Sequence, residues 1–103
     1  MAGGPTWFTL ARWHVSEGRE QEFIDAWTGD LAAVFRSLER QPRWGRLLRS
    51  AEDPRLFYSF GPWESREDIL AMRATPDAAN ALARLAAMCD EFEAGPYEEI
   101  AEA

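Results

Sequence analysis

Residues 7–15 (Trp7-Phe8-Thr9-Leu10-Ala11-Arg12-Trp13-His14-Val15) are rich in aromatic and β-branched side chains and read as a first strand. Alternation puts Trp7, Thr9, Ala11, Trp13 and Val15 on one face. Phe8, Leu10, Arg12 and His14 take the other. Neither face is purely polar, so both call for a cover. After the Ser16-Glu17-Gly18 turn, apolar residues recur as Phe23, Trp27, Leu31, Val34, Phe35 and Leu38. That spacing predicts a helix over 19–38 with one apolar stripe. Gly29 lies inside it, either at a close approach or as a tolerated weak point. Gln41-Pro42 closes the segment, because the residue before proline avoids the α region.

Residues 44–50 alternate as a second strand, 51–54 (Ala-Glu-Asp-Pro) carry turn chemistry, and 55–63 read as a third strand. The two strands predict an antiparallel hairpin. Ser65 then caps a short helix with Asp68 at its third position, and Ile69, Leu70 and Met72 form its apolar side. Thr75 and Pro76 open another helix. Its predicted stripe is Leu82, Leu85, Ala86, Cys89 and Phe92, running to a stop at Gly95-Pro96, with a short final strand at 97–101. The order is β-α-β-β-α-β. This is an α+β, ferredoxin-like split βαβ arrangement with a four-stranded antiparallel sheet and helices on one face. The opposite face would hold Phe8, Leu10, Tyr58 and Phe60, which predicts a homodimer through the open sheet face.

Composition narrows the partners. The 103 residues suit one domain over 1–103, with residues 1–5 a frayed leader. Hydrophobic residues at 47% and charged residues at 28% are an ordinary globular profile. A net charge of −7 argues against nucleic acid and against an anionic membrane surface. Five tryptophans in so short a chain point to a pocket or an interface. Cys89 is the single cysteine and falls in the predicted last helix, so no intrachain disulfide is expected. No signal-peptide pattern and no apolar run of ~20 residues is present, so the expected location is cytoplasmic.

Glu52-Asp53-Pro54, Phe57 and Trp63-Glu64-Ser65 resemble the antibiotic biosynthesis monooxygenase family, small dimeric α+β-barrel proteins. The likeness extends from the Gly18 turn to the Tyr97 strand. It implies a monooxygenase without flavin or metal that oxidises a small aromatic or quinol-type compound with dioxygen. Its pocket would lie between the sheet and the helices. A non-catalytic ligand-binding or stress-response protein of the same fold is the alternative. Trp63 matches the family tryptophan at the end of strand three. Ser59 stands where anthrone-oxidising members carry asparagine, and Ile69 where they carry tyrosine. The residues matching those used by haem-degrading members are Ala11, Met72 and Leu82, which points away from haem degradation.

The candidate catalytic residues are Trp63, as a pocket wall, and Ser59, as a hydrogen-bond donor. Trp13, Trp27, Phe57, Ile69 and Arg73 are the candidate substrate-binding residues, Arg73 facing an acidic group on a ligand. Trp63, Trp13 and Trp27 fit core packing as well as a pocket. His14 is the only histidine and could act as a general base, although its parity turns it toward the open face. One histidine and one cysteine make no zinc site. Arg36, Arg40, Arg43, Arg46, Arg49 and Arg55 form a basic run. It reads as a solvated surface paired with nearby acids; steering of an anionic substrate is the alternative.

Overall fold

The computed structural model describes residues 6–103; the frayed leader expected at 1–5 lies outside the described residues. The elements are β1 (Trp7–Val15), α1 (Glu20–Ala26), a π-helical turn (Trp27–Leu31), α2 (Ala32–Arg36), β2 (Arg46–Arg49), β3 (Leu56–Trp63), α3 (Arg66–Ala74), α4 (Pro76–Ala86) and β4 (Cys89–Glu98). The sheet is antiparallel throughout, in the order β2-β3-β1-β4, the ferredoxin-like arrangement. The alternation in β1 is realised: Ala11, Trp13 and Val15 are buried under the helices.

Local chemistry sets the helix boundaries. The Ser65 hydroxyl accepts from the Asp68 N–H at 3.1 Å and starts α3. Thr75 ends α3 and begins α4. Its hydroxyl donates to the Met72 carbonyl at 2.8 Å and accepts from the Ala78 N–H at 3.4 Å. Ile69 and Met72 are buried on α3, whereas Leu70 is exposed, because it lies one residue off the stripe.

The first helical stretch is not uniform. The Ala32 N–H donates to the Trp27 carbonyl five residues back, inserting a π turn. The sequence gives a reason. Phe23, Trp27, Leu31 and Phe35 recur every four residues, and four residues overrun an α-helical turn by about 40°. A wider turn returns the stripe to the sheet, where Phe23 and Leu31 are buried. The Thr28 hydroxyl, bonded back to the Ile24 carbonyl at 2.9 Å, assists the distortion. No close approach occurs at Gly29, since a Cβ there would meet nothing within 4 Å.

The end of the chain differs from expectation. The last helix stops at Ala86, and Cys89 and Phe92, expected on it, belong to a ten-residue strand. Asp90, Glu91 and Glu93 are strand residues as well. Gly95-Pro96 lies within β4 and stops nothing. The strand occupies 89–98 where 97–101 was expected, because β1 offers a free edge along its whole length: Trp7 opposes Glu98 and Trp13 opposes Phe92. Pro96 is tolerated because β4 is an edge strand.

Two packed clusters underlie the sheet. One joins Trp13, Val15, Phe23, Phe57 and Leu85; the other joins Trp63, Ile69, Met72 and Ala78. Val34, Phe35 and Leu82 touch both. On the open face Leu48 is 51% exposed and Tyr58 39%, while Phe8, Leu10 and Phe60 are half-buried. No helix is long and apolar enough to cross a membrane among the described residues.

Candidate active site

A cavity of about 370 Å³ lies on the helix side of the sheet, in contact with members of both clusters. That volume is toward the small end of ligand sites, roughly 300–1,000 Å³. Its wall on the sheet is Thr9, Ala11, Trp13, Ser59, Gly61 and Ala94. Trp27, Leu31 and Phe35 come from the first helical stretch, and Met72, Arg73 and Leu82 from α3 and α4. The connection 41–45 completes it.

That connection is held against the sheet. The Arg43 N–H donates to the Pro62 carbonyl at 3.0 Å. A Cβ on Gly61 would stand 2.3 Å from the Trp44 carbonyl oxygen, so only glycine lets the two backbones approach this closely. Trp44 packs edge-on against Phe8 at 6.4 Å and Phe60 at 5.7 Å.

Two buried indoles serve the cavity in the same way. Trp13, 1% exposed, donates its Nε1–H to Ser59 Oγ at 2.9 Å. Trp63, 1% exposed, donates its Nε1–H to Thr9 Oγ1 at 3.2 Å. Both hydroxyls line the cavity. The Thr9 hydroxyl has the Gly61 carbonyl to donate to, at 3.5 Å. Ser59 takes a bond from Trp13 and its own O–H proton has no protein acceptor among the described residues. Trp27 Nε1 is buried with no hydrogen-bond partner among the described residues. It is an orphan donor on a residue that lines the cavity, carried by the π turn.

The structure therefore brings Ser59, Trp13, Trp27 and Arg73 together and leaves Trp63, Phe57 and Ile69 outside the cavity lining. Phe57 packs behind on Phe23, with ring centroids 5.2 Å apart. Ile69 is fully buried beside Trp63. Phe57, Ser59 and Trp63 share the covered face of β3, but the two clusters fill the space at either end of that face and leave room only over its middle. Thr9, Phe35, Arg36 and Arg43 line the cavity without having been singled out for it. The usable signal for Thr9 was its position opposite Gly61, two residues from the Trp63 indole.

The other titratable candidates lie elsewhere. His14 Nε2 is 3.1 Å from Asp53 Oδ2, and its Nδ1 is 3.6 Å from Asp90 Oδ2, at the far end of the sheet from Trp63. The Cys89 Sγ donates to the Leu85 carbonyl at 3.4 Å. Burial pushes its thiol up to about 11, so it stays protonated near neutral pH. No group of three His, Cys, Asp or Glu side chains among the described residues could hold a metal ion.

The model of one family, antibiotic biosynthesis monooxygenase, matches residues 7–84. Among solved structures, SnoaB, a cofactor-independent oxygenase from Streptomyces nogalater, superposes with a TM-score of 0.81 at 17% identity, covering 96% of this chain and 97% of that one. A conserved protein from Methanosarcina mazei superposes at 0.80 with 15% identity, covering 93% and 94%. A conserved protein of unknown function from Bacteroides thetaiotaomicron superposes at 0.78 with 16% identity, covering 94% and 100%. At these identities the likeness is one of fold. No curated protein matches the sequence.

Proposed function

The chain belongs to the antibiotic biosynthesis monooxygenase family, and from that membership we propose a cofactor-independent monooxygenase-like protein that oxidises a small aromatic or quinol-type compound with dioxygen. The observation that carries the reading is the Trp13–Ser59 hydrogen bond in the wall of a ligand-sized cavity. It fixes the acceptor side of Ser59 and leaves the O–H free to donate to a substrate oxygen. A preorganised donor of this kind favours the phenolate over the phenol.

The substrate supplies all four electrons that dioxygen takes up. A ring CH₂ next to a carbonyl gives up one proton to become the enolate (the phenolate form), which passes one electron to dioxygen; the radical pair combines into a C–O bond, and the peroxide takes up a proton and loses water with the remaining C–H hydrogen. One oxygen atom stays as a ring carbonyl, and the other leaves as water with the two hydrogens of the carbon. Ser59 holds the phenolate oxygen. Trp27, Phe35 and Trp13 form the apolar walls that exclude bulk water, and Arg73 stands at the mouth. Trp63 is a positioning residue acting through Thr9. Phe57 and Ile69 support the walls from behind. Two copies joined through the open sheet face would cover Leu10, Leu48, Tyr58 and Phe60. A sedimentation mass of two chains that falls to one on Leu10→Asp supports that assembly, and a single-chain wild-type mass sinks it.

The test is oxygen uptake by purified protein over hydroquinones, naphthols and anthrones. We expect uptake above the autoxidation blank and a loss of about 10²-fold in kcat for Ser59→Ala. Trp63→Phe should lose less. No uptake across the panel, with thermal stabilisation by the same compounds, would replace the oxygenase with a ligand-binding protein.

A further inference from the structure

Arg36, Arg43 and Arg73 come from three different segments, the end of α2, the 37–45 connection and the last turn of α3, and all line the same cavity. All three are exposed, so they form its mouth, whereas Ser59 is buried in its wall. Among the described residues no Asp or Glu lines the cavity, in a chain of net charge −7. Among the described residues none of the three arginines has an ion-pair partner. Arg46, Arg49 and Arg66 also have none, but they lie outside the cavity lining, Arg46 over the Trp44 ring at 4.8 Å and Arg49 over the Phe57 ring at 5.2 Å. Arg12 pairs with Glu91 at 3.0 Å, Arg19 with Glu22 at 2.9 Å, Arg40 with Asp68 at 3.7 Å and Arg84 with Asp30 at 3.9 Å, and Arg55 pairs with Asp90. The basic run thus splits three ways: Arg40 and Arg55 are paired with acids, Arg46 and Arg49 lie over aromatic rings, and Arg36 and Arg43 line the cavity with Arg73.

We propose that the ligand of this cavity is an aromatic acid, its ring seated between Trp13, Trp27 and Phe35 and its carboxylate held at the mouth by Arg36, Arg43 and Arg73. This rests on reading the cavity as the substrate site, but not on oxygen chemistry. Guanidinium forks match a carboxylate bidentately. Like-signed charges around an apolar cleft focus their field into it and raise the local concentration of anions. The anion at the mouth is separate from the oxygen that meets Ser59, so the acid is not the phenol itself. A neutral quinol would leave three arginines at the mouth without a counter-charge.

The experiment is calorimetric titration, under nitrogen and at pH 7, of 6-hydroxy-2-naphthoate, whose hydroxyl and carboxylate lie at opposite ends of the ring system, against 2-naphthol, which lacks the carboxylate. We expect the naphthoate to bind about ten-fold tighter or more, with the gap narrowing as salt is raised. Arg36→Gln, Arg43→Gln and Arg73→Gln should each weaken the naphthoate alone, and the triple variant should abolish the preference. Circular dichroism checks the fold of each. Arg66→Gln, an arginine without an ion-pair partner but outside the lining, should change nothing. Equal affinities, no measurable naphthoate binding, or a preference that survives in the triple variant would overturn the proposal. Because binding is read without oxygen, a protein that prefers the naphthoate yet consumes no oxygen loses only the oxygenase reading. One that oxidises 2-naphthol with no preference loses only this one.

Discussion

The two ends of this small sheet treat charge in opposite ways. At the Val15 end the charges are bonded to one another. Arg55 Nε donates to the Val15 carbonyl at 2.8 Å and its Nη2 pairs with Asp90. Ser16 donates to Asp90 at 2.9 Å, the Arg55 N–H donates to Asp53 at 3.0 Å, and His14 meets both carboxylates. These bonds tie β1, the turn before β3 and the start of β4 together. At the cavity mouth Arg36, Arg43 and Arg73 have no acid among the described residues, and beneath them the Ser59 O–H and Trp27 N–H have no acceptor there. The first region is completed by the chain itself. The second is incomplete until something enters it. Buried polar groups left unsatisfied at one place are the ones the proposed ligand would complete.

The sharpest way to break this comparison is to change indoles of the two kinds. Trp13 is buried, stacks on Phe92 at 4.5 Å and has its N–H bonded. Trp13→Ala should cost about 3–5 kcal/mol in urea unfolding. Trp27→Phe removes an N–H that bonds nothing and should stay within about 1 kcal/mol of the parent, while weakening ligand binding. A large loss of stability at Trp27 would mean that its N–H has a partner in the folded protein and that the cavity wall is already complete.

A smaller effect is expected where the connection crosses the sheet. Gly61→Ala puts a methyl group 2.3 Å from the Trp44 carbonyl, and backbone cannot yield as a flexible side chain does. We expect a loss of about 1–3 kcal/mol and a lifted 43–45 segment, seen as faster amide exchange at Arg43, whose N–H bonds Pro62. Unchanged exchange at Arg43 would show that the connection is not pinned there, and the cavity would then be less well defined than its lining suggests.

Much of the fold was legible because its signals are local. The hairpin, the Ser65 and Thr75 caps and the parity of β1 each depend on a few neighbouring residues. β4 was not legible. Leu85, Cys89 and Phe92 continue a helical spacing, and only pairing with β1, some eighty residues away, turns 89–98 into a strand. The π turn left a trace in the four-residue spacing from Phe23 to Phe35. For the site, alternation alone was enough to put Ser59 and Trp13 on the covered face. It could not tell the middle of that face, which is open, from its ends, which Phe57 and Trp63 fill. Nor could a run of arginines reveal which would find acids, since the acids come from α3 and β4.

The smallest effect tests the self-completed end. The Arg55 backbone N–H, and then the His14 ring, hold the Asp53 carboxyl below the usual aspartate range. A carboxyl lowered in the folded state adds stability that is fully present above its unfolded value, about 3.9, and is lost as pH falls through the folded value. Asp53→Asn should therefore lower stability modestly at neutral pH and flatten the decline below about pH 4. Denaturant midpoints of the two proteins, followed downward from neutrality, should converge in acid. Arg36→Gln, at the other end, should leave that limb of the curve untouched. If Arg36→Gln flattened it as well, the mouth arginine would have an acidic partner in solution, and the difference between the two ends would disappear.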